Sequence, residues 1–180
     1  MPVVQIITID MLVSEIAKAA KKAFVELFKN GEKYYYCVLV TTGEAFSPFI
    51  SAWSWEALDR ETSKLPNDEE TEFIKWSYAD SPYMCFGEEH FKKVKELFNN
   101  LPSIDNLKGK EWEEQFNFRL NAMELAMKQV DFEGIFSLNQ LRKDVYINVE
   151  IMPPDKTNTE RALRLNKAED IIKWLEEMAE

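Results

Sequence analysis

The residues best suited to chemistry lie in one short stretch, SYADSPYMCFGEEHF, which runs from Ser77 to Phe91. It holds His90, the single histidine of the chain, and Cys85, one of two cysteines. An imidazole beside a carboxylate can act as a general base or hold a metal ion, and a thiolate at a helix start is a nucleophile. The stretch therefore raises the question of whether it is an active site.

The same residues also fit a turn that leads into a helix. The triplet 80–82, Asp-Ser-Pro, is a turn signal, and the acidic pair 88–89 suits the first turn of a helix. That pair would repel a thiolate at Cys85, and a zinc site needs about four ligands. We therefore expect that His90, Cys85 and Cys37 do not converge, and we assign no catalytic, cofactor or metal residues.

The net charge of the chain indicates which classes of partner it can bind. The chain has 32 acidic and 22 basic residues, and its formal net charge is -10. A phosphate backbone would be repelled, so we expect no binding to nucleic acid. The acidic surface serves solubility, or it meets a basic protein partner and speeds the encounter.

Composition and length indicate a globular protein. With 180 residues and 46% hydrophobic residues, the chain is predicted to form one domain over residues 1–180. We see neither a signal peptide nor an apolar run of the ~18 residues that cross a membrane. The cysteines have no CxxC spacing, and a reducing cytoplasm is the simplest setting.

Common catalytic motifs are absent from the sequence. It contains no GxGxxG, Walker loop, GxSxG, HExxH or EF-hand loop. Adjacent acidic pairs diverge on a helix or strand, so they indicate a solvated face and not a catalytic carboxylate pair. Whether the chain is an enzyme stays open, and the balance is against it.

A partner surface is predicted instead near the end of a hairpin. Two tryptophans there are candidates for an exposed aromatic patch, and aromatic residues dominate interface energy. An acidic run follows about a dozen residues later. The candidate partner-binding residues are Trp53, Trp55, Asp68, Glu69, Glu70 and Glu72.

Hydrophobic periodicity predicts an α+β fold. An antiparallel or mixed sheet of about four or five strands is expected, with helices packed against it. The clearest strands are 34–42, 45–53, 72–78 and 144–152. The helices are predicted to begin near Asp10, Ser54, Gly87, Gly109 and Asn166, with Asp10 and Ser54 as caps and Glu169 as the capping-box partner of Asn166.

The periodicities also predict one common core. In the last strand, Val145, Ile147, Val149 and Ile151 are predicted to face inward and Tyr146, Asn148 and Glu150 outward. The residues predicted to be buried together are Trp76, Trp112, Phe116, Met123, Val145, Ile147, Val149 and Trp174.

Three segments carry a resemblance to a known family. They are YYYCVLVTTGEAFSPFISAWSWEAL, FIKWSYADSPY and, most specifically, DFEGIFSLNQLRKDVYINVEIMPPDKTNTERALRLN. In the last segment a helix ends on Asp-x-Glu-Gly-x-Phe, a strand follows, and Arg-x-Leu-Asn closes the segment. The sequence resembles the bacterial family of domain of unknown function 4303 (DUF4303) over nearly the whole chain.

The resemblance implies a small cytoplasmic α+β domain without an established activity or catalytic residues. Families of this size and type are often found beside toxin genes, which implies an acidic immunity protein that blocks a basic toxin. Three hypotheses stand: a non-enzymatic protein-interaction module, a small-molecule-binding protein with a pocket between the sheet and the long helix, or an enzyme of undescribed type. Fold alone does not decide between them.

Overall fold

The computed structural model describes residues 6–65 and 68–179, without the side chains of residues 68–70. Within these ranges, helices pack on both faces of a small sheet. The helices are α1 (Ile9–Leu27), α2 (Trp55–Thr62), α3 (Asp68–Ile74), α4 (Lys92–Asn99), α5 (Gly109–Phe132), α6 (Lys156–Leu165) and α7 (Ile172–Met178). The strands are β1 (Tyr34–Thr42), β2 (Phe49–Ser54) and β3 (Tyr146–Met152).

The sheet is mixed and smaller than predicted. Its order is β2-β1-β3, with β1 antiparallel to β2 and parallel to β3. Leu39 in the central strand pairs with Ile50 on one side and with Val149 on the other. The expected α+β class is confirmed, whereas the expected four or five strands are wrong because the described residues form only three.

The missing strand is the one predicted at 72–78. This segment holds the end of α3 and a turn, and it contacts β1 and β2 without joining the ladder. Side chains bind its carbonyl groups in place of a neighbouring strand. Tyr35 Oη donates to Lys75 O at 2.6 Å, Trp53 Nε1 to Ser77 O at 2.7 Å and Ser51 Oγ to Tyr78 O at 2.8 Å.

The segment after β3 contains two helices, α6 and α7, where a single helix from Asn166 was predicted. Helix α6 was missed, and α7 begins six residues after the predicted start. Asn166 is not the first residue of a helix. Its side chain binds both backbone groups of Ile147 in β3, with Nδ2 2.7 Å from the carbonyl oxygen and Oδ1 3.2 Å from the amide nitrogen. Asn166 therefore fixes the end of α6 against the sheet.

Of the caps predicted for the first two helices, one is confirmed and the other is wrong. Ser54 caps α2 as expected, because its hydroxyl accepts from the amide of Ala57 at 2.9 Å. Thr8, and not Asp10, caps α1 through the amide of Met11. Asp10 lies in the first turn, where its charge favours the helix dipole.

The core is divided by the sheet into two clusters, so the single predicted core is wrong. Met123, Val145, Ile147 and Val149 belong to the first cluster, which contains residues of α1, α4 and α5. Trp76 and Trp174 belong to the second, on the other face. Trp112 and Phe116 are only half-buried, near the start of α5, with their rings stacked at 4.8 Å.

Both faces of β3 are therefore buried. The residues predicted to face solvent, Tyr146, Asn148 and Glu150, are at most 5% exposed. A strict alternation marks the two faces of a strand, but it does not say whether the polar face is covered. Here the second cluster covers it, with residues of α6 and α7.

Gly87 allows α4 and the turn before it to approach α1 closely. Its φ is +66°, and a Cβ there would lie 2.9 Å from Cβ of Ala23. We expect Gly87→Ala to lower the free energy of unfolding by about 2–4 kcal/mol, since strain and overpacking add. Gly134→Ala is the control, because its φ is +75° but nothing lies within 4 Å. Equal losses for the two variants in urea titrations would contradict this close approach.

Candidate functional site

An aromatic cleft opens at the edge of the sheet where the parallel strands β1 and β3 begin. Its volume is about 460 Å³. Tyr35 and Tyr146 come from the first residues of the two strands, and Trp174 comes from α7. The cleft is lined by Lys33, Tyr35, Trp55, Trp76, Gln140, Lys143, Asp144, Tyr146, Asp170, Ile171, Lys173 and Trp174.

A β-bulge brings two consecutive tyrosines to the same side of the sheet. The register of β1 against β2 shifts between Tyr34 and Tyr36. As a result, Tyr35 and Tyr36 both belong to the second cluster, where strict alternation would separate them. The bulge therefore adds the ring of Tyr35 to the cleft.

The rings of the cleft form a continuous aromatic wall. Trp55 stacks on Tyr35 with 4.0 Å between ring centroids, and Trp174 stacks on Tyr146 at 4.7 Å. Trp76 lies between these pairs, with its ring edge-to-face at 5.3 Å from Tyr35 and 5.9 Å from Tyr146. Trp55 is 43% exposed, so part of this wall faces solvent. Such faces bind apolar groups and cations.

The charges of the cleft are nearly balanced. Three lysines and two aspartates line it, in contrast to the acidic chain as a whole. Burial raises the pKa of the Tyr35 hydroxyl, and the nearby charge of Glu177 raises it further. That hydroxyl already donates to Lys75 O, so Tyr35 contributes its ring and not an acid or base.

A buried polar network lies behind the wall and centres on Glu150. Its carboxyl oxygens accept from Tyr36 Oη at 2.7 Å and from Tyr146 Oη at 3.3 Å. Asn148 Nδ2 in turn donates to Tyr146 Oη at 2.8 Å. Burial raises the pKa of Glu150 to about 7, although both tyrosines and the charge of Arg161 oppose the shift. Glu150 does not line the cleft, so this network supports the wall from behind.

A second groove lies between α3 and α7 and adjoins the cleft. It has a volume of about 300 Å³ and is lined by Glu72, Phe73, Glu177 and Met178. Phe73 is 79% exposed, which is unusual for a phenylalanine in a folded chain. The side chain of Trp76 connects the two features, because it lines the cleft and its Nε1 donates to Glu177 Oε2 at 2.6 Å.

Glu177 stays ionised at the rim of this groove. Burial raises its pKa, but the hydrogen bonds from Trp76 and Lys75 outweigh burial and leave the pKa below the ordinary value. The Lys75 ammonium lies 2.9 Å from Glu177 Oε2. We call the cleft and this groove together the α7 surface.

Comparison with protein families gives a match over most of the chain. The model of the family described as domain of unknown function (DUF4303) matches residues 15–167 of the 180. The chain belongs to the DUF4303 family. Comparisons with curated proteins and with solved structures gave no match. The DUF4303 match confirms the resemblance inferred from the sequence, and the family description names no activity.

No helix among the described residues of this DUF4303 chain has the length and apolar character that crossing a membrane requires.

The His90 region of the DUF4303 chain contains a partner that sequence spacing did not suggest. His90 Nε2 lies 2.8 Å from Glu26 Oε2 and 3.7 Å from Glu89 Oε1, and Glu26 belongs to α1. These three side chains could hold a metal ion, although both glutamates are exposed. His90 thus ties the turn before α4 to α1.

The two cysteines lie in different surroundings from His90. Cys37 is fully buried in β1, and burial raises the pKa of its thiol. Burial also raises the pKa of Cys85, and the charge of Glu88 adds to the shift. Among the described residues, the cluster around His90 contains neither thiol.

The predicted partner-binding residues have divergent positions in the DUF4303 fold. Trp53 is fully buried, so it is not part of an exposed patch, whereas Trp55 is at the mouth of the cleft. Glu72 is exposed in the α3–α7 groove. Asp68, Glu69 and Glu70 belong to α3, and their side chains lie outside the described residues.

Sequence reasoning missed Phe73 and Glu177. Phe73 was assigned to a strand with alternating faces, which gave no reason to expect a helix residue that faces solvent. The available signal was the acidic, proline-preceded run before it, which is typical of a helix start.

Proposed function

We propose that this chain is a non-enzymatic protein-interaction module that binds a basic protein partner through the α7 surface. One observation carries the proposal. Phe73 is 79% exposed in a groove whose other lining residues include Glu72 and Glu177. An exposed aromatic side chain ringed by carboxylates suits an apolar anchor with a charged rim.

The aromatic cleft extends the proposed contact beyond the groove. Trp55 is exposed and its ring is stacked on Tyr35, so it loses little conformational freedom on binding. Trp76 supports both parts through its hydrogen bond to Glu177. An apolar or cationic side chain of the partner fits the cleft, while the groove takes basic residues around Phe73.

The net charge of -10 favours a basic partner over other proteins. A basic toxin is a partner of this chemistry, and its binding would make the chain an immunity protein. The support for this class is the acidic charge together with the exposed anchors.

A second candidate function is the binding of a small molecule. The observation that favours it is the aromatic cleft itself, whose volume lies in the range of ligand pockets. The sequence placed such a pocket between the sheet and the long helix, whereas the aromatic cleft lies on the other face, with the second cluster. Trp55→Ala should weaken the binding of a ligand in the cleft, whereas a substitution of Phe73 should leave its affinity unchanged.

The acidic contribution is testable through association kinetics. Amides in place of four carboxylates of α3 should slow association with the partner more than they speed dissociation, because these charges steer the encounter. The association rate of the wild type should also fall as salt rises. The four changed residues are Asp68, Glu69, Glu70 and Glu72.

The control removes four exposed charges elsewhere, at Asp10, Glu88, Glu89 and Glu96. Both variants have the same net charge, so only position differs. If the partner associates at a rate indifferent to salt and to the α3 changes, or if the control slows it equally, the acidic contact is wrong.

A further inference from the structure

A separate cleft lies between α4, α5 and the connection from β1 to β2. Its volume is about 420 Å³, and it shares no lining residue with the α7 surface. Four of its nine lining residues are apolar, with Phe46, Phe98 and Ile104 among them. The polar groups include Arg119 from α5 and Ser47 from the connection.

Arg119 is a buried cation without a counter-ion among the described residues. It is 2% exposed and takes part in none of the ion pairs. Its Nη2 donates to Pro102 O at 2.8 Å, its Nη1 reaches Ala45 O only at 3.4 Å, and its Nε has no partner. A guanidinium has five N–H donors, so most of this capacity is unused.

The other four arginines are all better satisfied. Arg164 binds Glu124 with two hydrogen bonds of 2.9 Å, and Arg60 and Arg142 each pair with a carboxylate. Arg161 has no direct ion pair, but all three of its side-chain nitrogens donate to oxygen. Arg119 is thus the exception, which indicates that something outside the described residues completes its site.

The neighbours of Arg119 point to the same conclusion. The hydroxyl of Ser47 is also buried without a hydrogen-bond partner. Lys95 adds a second positive charge at the exposed side of the cleft. Burial lowers the pKa of Arg119, and the charge of Asp105 only partly opposes this shift. An unpaired buried charge and an unpaired buried hydroxyl both cost free energy, so their retention beside one cavity requires a reason.

We infer that this cleft binds a small organic carboxylate, with Arg119 as its counter-ion. Arg119 donates to the carboxylate, Ser47 adds a hydroxyl donor, and the ring of Phe98, 5.6 Å from the guanidinium, holds that group against the apolar wall. The apolar body of the ligand lies against Phe46 and Ile104. Apolar walls with a few placed polar groups are typical of small-molecule sites.

A monovalent carboxylate fits this site better than phosphate. The cleft contains one buried cation, and a doubly charged phosphate costs more to remove from water. The body of an organic acid also buries surface against the apolar residues of the cleft, a gain in binding free energy that phosphate lacks.

The test is a titration of the full chain with benzoate at constant ionic strength, followed by calorimetry and by amide chemical shifts. Benzoate should bind, and shift changes should centre on Ser47 and Arg119. Benzamide, its neutral counterpart, and inorganic phosphate should bind at least tenfold more weakly. Arg119→Met should weaken benzoate binding at least tenfold, whereas Lys92→Met, an exposed charge change on α4, should leave it unchanged.

The thermal stability of the Arg119→Met variant provides a second measurement. Without ligand, Arg119→Met should melt at the same temperature as the wild type or higher, because it removes an unpaired buried charge. Marked destabilisation with no benzoate binding to the wild type would assign Arg119 a structural role and overturn the inference. If the variant does not fold, the wild-type titration and Ser47→Ala decide, and equal binding of benzoate and benzamide contradicts the proposal. Phosphate binding in place of benzoate also overturns it.

Discussion

Replacing Trp53 by alanine is expected to lower the free energy of unfolding by about 3–5 kcal/mol. The side chain is fully buried among the second cluster, and its indole nitrogen binds the Ser77 carbonyl at 2.7 Å. The variant loses apolar contacts and leaves the part-buried Ser77 carbonyl without its donor. Urea titration followed by far-ultraviolet circular dichroism measures the loss.

Trp55→Ala is the matched control, two residues away. Trp55 is 43% exposed and stacks on one face of Tyr35, so a loss of about 1 kcal/mol is expected. The pair separates a core tryptophan from a surface one. Similar losses for the two variants would contradict the placement of Trp53 inside the second cluster and of Trp55 at the mouth of the cleft.

The second large effect is a pH dependence that arises from Glu150. Its pKa is raised from the ordinary 4.5 to about 7 by burial, so the folded chain holds a proton that the unfolded chain releases. This group therefore contributes its full stability below about pH 4.5, and the contribution is lost as pH rises through about 7. A shift of this size corresponds to about 3 kcal/mol.

Other carboxyl groups act in the opposite direction, so the difference between variants is the useful quantity. Glu150→Gln removes the titration and keeps an oxygen that accepts from Tyr36. Between pH 5 and pH 8, we expect the free energy of unfolding of this variant to increase by about 2.5 kcal/mol relative to that of the wild type. Urea titrations at several pH values measure the difference.

Glu124→Gln is a control of opposite sign. Burial raises the pKa of Glu124, but hydrogen bonds from Arg164 and Lys128 outweigh it and lower the pKa. Its contribution is present at neutral pH and is lost in acid. Glu124→Gln should therefore be less stable than the wild type at pH 7. The difference in the free energy of unfolding should shrink as pH falls. A flat difference for Glu150→Gln between pH 5 and 8 would contradict a protonated Glu150.

The elements that were predicted best are those in which a hydrophobic pattern continues over many residues. Helix α5 was expected to begin near Gly109 and spans Gly109–Phe132, and β1 has the predicted bounds. In contrast, α6 has few apolar residues. Ala162 and Leu165 therefore make most of its contact with the core. Polar bonds such as those from Arg161 to Val149 O hold it on β3, and no periodicity signals them.

The candidate surface depended on facts that no local pattern contains. The β-bulge turns Tyr35 towards the cleft, and Trp76 reaches Glu177 across a hundred residues of chain. Trp53 and Trp55 have similar neighbours in the sequence. Trp53 is buried because it lies within β2, whereas Trp55 follows the end of the strand and is exposed. Glu72 was placed on the surface correctly, but its apolar neighbour Phe73 was not.

The proposed contact at the α7 surface has a direct test in two exposed phenylalanines. Phe73 is 79% exposed on this surface, and Phe132 is 93% exposed at the end of α5, outside it. Serine at either position removes a similar solvent-exposed ring, so neither variant should lose much stability.

The measurement is the dissociation constant of the two variants and the wild type for a partner purified from the native host and identified. Phe73→Ser should weaken binding at least tenfold, and Phe132→Ser should leave it unchanged. Binding that is unaffected by Phe73→Ser, or weakened only by Phe132→Ser, would contradict a contact through the α7 surface.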